Sequence, residues 1–200
     1  MMLAISGIAT TSALATPAYY IEGKAITANE TVTATGGAST LTSTVTGVPF
    51  ELVSKKSKAS GLISPGGAST YELIFEENTV TAPAGCKLSE ARQRSFSTVA
   101  MTGALSEEGS GSYLAKFSEP GIAIELSHCT NTWFNGSHLL QGTTGALIPS
   151  GVEGLERSMS FSSSSHDFLT WFGGSVFTIT STNSIKLSGA NKGKKFGIGI

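Results

Sequence analysis

Few residues in this 200-residue chain have side chains suited to chemistry. Three histidines (His128, His138, His166), two cysteines (Cys86, Cys129) and a single aspartate, Asp167, stand among 29 serines and 24 threonines. A serine nucleophile needs a base within hydrogen-bond reach and a sharp turn to present it. No Gly-x-Ser-x-Gly occurs, and adjacent residues such as His166 and Asp167 point to opposite faces of a strand. One aspartate excludes a calcium loop, a two-metal phosphoryl site and an aspartic dyad. The histidines lack metal-ligand spacing, and His128 is expected to continue the apolar face of Ile122, Ile124 and Leu126 as a core or rim residue. Glutamates pair at Glu76-Glu77, Glu107-Glu108 and Glu153/Glu156, but glycoside hydrolysis needs carboxyls facing each other across a cleft, and solvated charge is the expectation. No Gly-x-Gly-x-x-Gly precedes a helix. No catalytic residue, metal ligand or cofactor is therefore assigned.

Binding chemistry has better candidates. Trp133-Phe134 and Trp171-Phe172 each precede a glycine-containing turn, within the echo Trp-Phe-Asn-Gly-Ser and Trp-Phe-Gly-Gly-Ser. Alternation along a strand sends one ring of each pair to the core and the other outward, where Trp133 or Trp171 could stack on a sugar or anchor a partner. The alternative places both indoles in the core. The clusters Lys55-Lys56-Lys58 and Lys192-Lys194-Lys195 read as protection of exposed strand edges.

The elements that must position these residues follow a period of two. Val48, Phe50 and Leu52 alternate with Pro49 and Glu51, and Tyr71, Leu73 and Phe75 with Glu72, Ile74 and Glu76. Ile122, Ile124 and Leu126 alternate likewise, as do Phe196, Ile198 and Ile200. One apolar and one polar face mark antiparallel strands half-buried on a core. Thr31 to Thr35 and Leu41 to Thr46 favour extended backbone through β-branching. Turn signals recur at Gly36-Gly37, Pro65-Gly66-Gly67, Glu108-Gly109, Pro120-Gly121, Asn135-Gly136, Gly173-Gly174 and Asn191-Lys192-Gly193. Helical signal is confined to Leu88–Ser95, with Ser89 as its cap, and to one turn over Gly151–Arg157. The expected fold is all-β, an antiparallel sandwich or barrel of about ten or more short strands.

Residues 1–15 form an apolar stretch ending Ala13-Leu14-Ala15, which suits signal-peptidase cleavage before Thr16, although no basic residue precedes it. Residues 16–200 are read as one β domain, with 16–35 as a peripheral, donor-like strand region able to dock on a neighbouring copy. No run is long and apolar enough for a transmembrane helix. With 13 basic and 14 acidic residues the formal charge is −1, which gives no field for nucleic acid. In an exported chain two cysteines most simply form one bridge, whose loop of about 44 residues stabilises by roughly 4 kcal/mol on the chain-entropy model. In a cytosolic chain, two buried thiols are the alternative.

From Gly47 onward the chain resembles a group of uncharacterised, secreted, β-rich bacterial proteins. The matching segments are Lys55-Lys56-Ser57-Lys58-Ala59-Ser60-Gly61, Phe75-Glu76-Glu77-Asn78-Thr79-Val80, Pro83-Ala84-Gly85-Cys86, Ile124-Glu125-Leu126-Ser127-His128-Cys129, and the ending from Lys186-Leu187-Ser188-Gly189 to Lys195-Phe196-Gly197. Proteins of this group usually carry four cysteines, and the two missing here would fall near Ser54 and Asn78. Their joint absence implies that these positions form one bridge in the relatives, leaving Cys86 to pair with Cys129. It also implies that Ser54 and Asn78 lie on neighbouring strands, within roughly 7 Å. The resemblance supports export and the β fold and transfers no activity.

The expected function is that of a secreted or cell-surface, non-enzymatic β protein with a structural or interaction role, through self-association or an extracellular partner. A glycan- or small-ligand-binding barrel is the alternative. An outer-membrane barrel, short of aromatic residues for two girdles, and a hydrolase rank lower.

Overall fold

The computed structural model describes residues 16–108, 112–118, 121–150, 153–161, 169–171 and 174–199, with 169–171 as backbone alone. The apolar segment 1–15, the turn residues Gly109, Pro120 and Gly173, the Ser162–Ser165 run, His166, Asp167, Phe172 and Ile200 lie outside these residues. Among the described residues the chain is almost all strand: β1 (Ala18–Ile21), β2 (Lys24–Ala25), β3 (Glu30–Val45), β4 (Val48–Ile63), β5 (Ala68–Ala82), β6 (Lys87–Leu88), β7 (Ser95–Ser97) and β8 (Met101–Glu107). They continue with β9 (Ser112–Ser118), β10 (Ile122–Ser127), β11 (Gly136–Leu140), β12 (Thr143–Pro149), β13 (Arg157–Phe161), β14 (Leu169–Trp171), β15 (Ser175–Leu187) and β16 (Phe196–Gly199). All pairings are antiparallel. The all-β expectation holds, but four strands are long rather than short: β3 and β4 have 16 residues each, β5 has 15 and β15 has 13.

Those four strands serve two structures at once. In one half of the molecule the pairings run β15–β3–β4–β5–β8–β9–β12–β13, and β13 pairs back onto β15 through Arg157↔Ile185 to Phe161↔Ser181. The ring is therefore a closed eight-stranded barrel, which leaves no edge along that path. A small sheet ordered β16–β1–β2 lies at its end, with Tyr19 of β1 buried in the core. In the other half β5 turns from β8 to β7, β15 turns from β13 to β14, and the ring opens. There a second sheet, ordered β11–β10–β6, covers the inward face of the long strands. Ile122 of β10 faces Leu41, Leu52 and Ile179 across a gap of only about 10 Å³, too small for any ligand and at the lower limit for one water. Sandwich and barrel are thus both present, end to end.

The hairpin joining β3 to β4 rests on Thr46 (φ 49°) and Gly47 (φ 83°) between the partners Val45 and Val48. Two positive φ values match the twist of the flanking strands, as in a type I′ turn. Gly36-Gly37, read from sequence as a turn, instead lies inside β3. The physical reason is a slip in the alternation. Val32 and Ala34 point inward, then Gly37 and Ala38 are both exposed, and Ser39 and Leu41 resume inward. β4 slips at the same level, with Lys55 and Lys56 both outward between inward Ser54 and Ser57. β5 slips between Phe75 and Asn78, where Glu77 has φ 56°. β15 keeps strict alternation through Ser181 and Asn183.

A belt of buried polar side chains marks this level. Ser54 Oγ donates to Asn78 Oδ1 (2.6 Å), Ser57 Oγ to Asn183 Oδ1 (2.7 Å) and Ser39 Oγ to Ser181 Oγ (2.8 Å). Asn183 Nδ2 donates on to Ser181 Oγ, and Asn78 Nδ2 to the carbonyls of Phe75 and Arg92. Gly36 makes this possible: a methyl group there would overlap Asn183 Oδ1 and come within 2.5 Å of Ser57 Oγ. Each satisfied bond contributes only about 1 kcal/mol, but stranding a partner costs about 1–3 kcal/mol, so the belt specifies register more than it adds stability. Ser54 and Asn78 are direct partners on neighbouring strands, as the resemblance implied.

Several local expectations need correction. The helix expected over Leu88–Ser95 shrinks to α1 (Glu90–Arg94), because Leu88 is pulled into β6 and Ser95 into β7; Ser89 is its N-cap residue but makes no side-chain cap bond. Within Gly151–Arg157, residues 153–157 form no helical turn: Gly154 bridges to Phe196 and Arg157 opens β13. The donor-like region 16–35 is not peripheral throughout. Residues 30–35 belong to β3, paired within the chain to β4 on one side and β15 on the other.

Candidate functional site

The sandwich half carries the most distinctive surface feature, a single 3-10 turn at Thr132–Phe134. Its sequence, Asn131-Thr-Trp-Phe-Asn135-Gly136, explains its shape. Asn131 accepts from Trp133 N through Oδ1 (3.2 Å), and Asn135 Oδ1 accepts from Cys129 N (3.0 Å). Gly136, at φ 122°, lets the chain turn into β11. Cys129 is joined to Cys86 by the disulfide, and both are buried. Thr130 Oγ1 donates to Ala84 O (2.8 Å), fastening the turn to the segment before β6.

Within the pair Trp133-Phe134 the two rings part. Phe134 is fully buried and stacks on Phe50 with ring centres 6.2 Å apart, and Phe50 meets Phe177 edge-on at 5.5 Å. Trp133 is 48% exposed and stands edge-on to Phe134. The expected division between core and surface is present here, but a 3-10 turn produces it rather than strand alternation. The indole is not a core residue. Trp171 lies in the backbone of β14, paired to Ser175 at the start of β15 in this same half of the molecule.

Around Trp133 the side chains of Thr130, Asn131, Thr132, Asn135 and Ser137 are exposed and uncharged. The chain carries no Asp, Glu, Lys or Arg from Leu126 to Val152. His138 of β11 lies beneath, its Nε2 donating to Phe134 O (2.9 Å); burial pushes its pKa below the ordinary value despite that carbonyl. Sequence reading marks Asn135 only within the turn signal Asn135-Gly136 and passes over Asn131, although an asparagine flanking each end of a short aromatic segment is a turn-capping signal.

The other sequence-nominated groups do not converge on this turn. His128 is exposed, not part of an apolar face. β10 ends at Ser127, and His128 takes φ 59°, which turns its ring outward to Ser127 Oγ (3.0 Å). Lys55, Lys56 and Lys58 do not guard an edge, since β4 is paired on both sides. They form cross-strand ion pairs instead: Lys55 and Lys56 with Glu77, Lys58 with Glu76. Bonding from Lys56 draws the Glu77 carboxyl below its ordinary pKa. Lys192, Lys194 and Lys195 precede β16 rather than lying on a strand. Glu153 accepts from Gly23 N (2.7 Å), and Glu156 accepts from Ser184 Oγ (2.6 Å) beside a shallow groove of about 410 Å³ over Thr35–Gly37 and Thr182–Ser184. Glu153 and Glu156 thus hold the surface of the barrel half together. Among the described residues no group of three or more His, Cys, Asp or Glu could hold a metal ion, and no helix is long and apolar enough to cross a membrane.

The chain matches no family model, no curated protein and no solved structure.

Proposed function

We propose that this is an exported, non-enzymatic β protein whose role is interaction, with the Trp133 turn as its contact surface. One observation carries the reading: a half-exposed indole is held on a turn fixed by a disulfide, two asparagine caps and a buried phenylalanine. A large ring already immobilised loses little conformational entropy on contact, which is what makes tryptophan an effective binding anchor. The disulfide suits an oxidising compartment.

Site-specific photo-cross-linking in the cell that makes the protein tests this reading. Thr132, exposed beside the indole on the same turn, is replaced by benzoylphenylalanine, and Lys24, on β2 at the barrel end, is replaced in a control chain. A discrete light-dependent adduct from position 132 and none from position 24 is expected. No adduct at position 132, or the same adduct from both, overturns the assignment.

A further inference from the structure

We infer that the Trp133 turn takes a neutral saccharide. The inference rests on the reading of this turn as the contact surface and names its ligand class. Three features converge. The first is the indole itself, a flat apolar face whose area suits the C–H face of a pyranose.

The second feature is the pair of amides flanking it. The Oδ1 atom of Asn131 is committed to Trp133 N and that of Asn135 to Cys129 N. Those bonds fix the orientation of each amide and turn its Nδ2 group, a two-proton donor, toward solvent, since both residues are exposed. Donors set in place on both sides of an aromatic face match a ligand whose rim is hydroxyl oxygen.

The third feature is charge. Between Leu126 and Val152 the only ionisable side chains besides the disulfide cysteines are His128 and His138, and the nearest charges stand at the margin and are of opposite sign: Glu125, the register partner of Ser137, and Lys87, that of Ser127. His138 lies beneath the turn with Nε2 bonded to Phe134 O, and burial lowers its pKa. A broad apolar partner would cover the hydroxyls of Thr130 and Thr132 and both amides without replacing their water, which costs more than one ring returns. A sugar satisfies ring and amides together.

The test titrates the full chain with neutral cello-, xylo-, chito- and malto-oligosaccharides, with polygalacturonate and heparin as charged controls. Binding is read from tryptophan fluorescence and from retention on the insoluble polysaccharides. A Trp171→Phe background isolates the Trp133 signal. At least one neutral sugar is expected to bind, with Trp133→Ala weakening it by about tenfold or more. Asn131→Asp and Asn135→Asp keep the capping oxygen and remove the donors, so each is expected to weaken binding several-fold with an unchanged melting temperature. Failure of every neutral sugar to bind at ~10 mM, or binding indifferent to Trp133→Ala, overturns the inference. The cross-link at position 132 separates the two failures. A protein adduct there with no sugar binding removes the saccharide alone, whereas no adduct removes the contact surface as well.

Discussion

The two halves of this molecule solve the same problem in different ways. In the barrel half the backbone closes on itself, so cohesion comes from an uninterrupted ring of strand pairing. In the sandwich half β6, β10 and β11 touch the long strands through side chains, and one covalent link, Cys86–Cys129, pins the covering segment. The closed half tolerates polar faults: Tyr19 OH, Ser69 Oγ and Tyr71 OH gather there, and none makes a well-formed hydrogen bond. The open half has no such fault at its turn and displays the one large aromatic on the described surface. Closure removes strand edges from one end, and the end that does not close carries the exposed Trp133 turn.

The aromatic residues label the halves separately. All four tyrosines, Tyr19, Tyr20, Tyr71 and Tyr113, sit on strands at the barrel end, whereas Trp133 and the backbone of Trp171 lie at the sandwich end. Breaking the pin should therefore split their signals. Cys86→Ala with Cys129→Ala is expected to cost about 4 kcal/mol on the loop-entropy estimate. The loss should fall first on the sandwich: hydrogen exchange accelerates in β10 and β11 while β8, β9 and β12 stay protected, and the tryptophan transition precedes the tyrosine one on heating. Coincident transitions and uniform exchange would show that the halves unfold as one unit.

The belt between the halves offers the next largest effect. Ser54 and Asn78 are register partners joined by a 2.6 Å hydrogen bond. Ser54→Cys with Asn78→Cys should oxidise spontaneously and stabilise by about 3.5 kcal/mol, the chain-entropy value for a loop of this length. In the reduced form the same variant should be less stable than the parent, because the Asn78 donors to Phe75 and Arg92 are lost. A melting temperature in oxidising and in reducing buffer, with a thiol count, decides it. Two free thiols after air oxidation would mean that the side chains at this pair do not converge.

Much of this architecture is legible in the residues, and the illegible parts share one cause. Alternation in Val48–Leu52, Tyr71–Phe75 and Ile122–Leu126 placed their inward faces correctly, because a half-buried strand records its environment every second residue. The Cys86–Cys129 bridge and the outward Trp133 were also among the readings that residue type allowed. By residue type Lys55-Lys56 reads as edge protection and Glu76-Glu77 as solvated charge, whereas each is the outward doublet of a slipped strand, flanked by buried Ser54, Ser57 or Asn78. Gly36-Gly37 deceived for the same reason, since glycine serves equally in a turn and where side chains from two neighbouring strands meet across a third. Local residue type reports that alternation fails, but only the strands on either side decide whether the chain turns back or continues. The site was half legible. The Trp-Phe pair announced itself, but the fixed amides of Asn131 and Asn135 depend on backbone partners that only the folded turn supplies.

The smallest effect at neutral pH sharpens the contrast from the barrel side. Burial raises the Tyr19 phenol from 10.0 to about 12, outweighing the nearness of Ser69 and Tyr71, and burial holds Tyr71 well above its ordinary value too. The sign follows from proton affinity. The folded state keeps the Tyr19 proton beyond pH 10.0, where the unfolded chain releases it, so the associated stability is complete below pH 10.0 and is lost as pH rises toward about 12. Tyr19→Phe removes a buried hydroxyl that lacks a well-formed bond, so at pH 7 stability should change by no more than about 1 kcal/mol. Above pH 10.0 the variant should outlast the parent, with a shallower decline because Tyr71 still titrates. The order of unfolding is then the decisive readout. In the parent the tryptophan signal should move first near neutrality once the disulfide is reduced, and the tyrosine signal first in alkali, since every tyrosine lies at the closed end. Tyr19→Phe should delay only the second. An equal shift in both signals would mean that the fault in the barrel is felt across the belt, and that the two halves share one cooperative core.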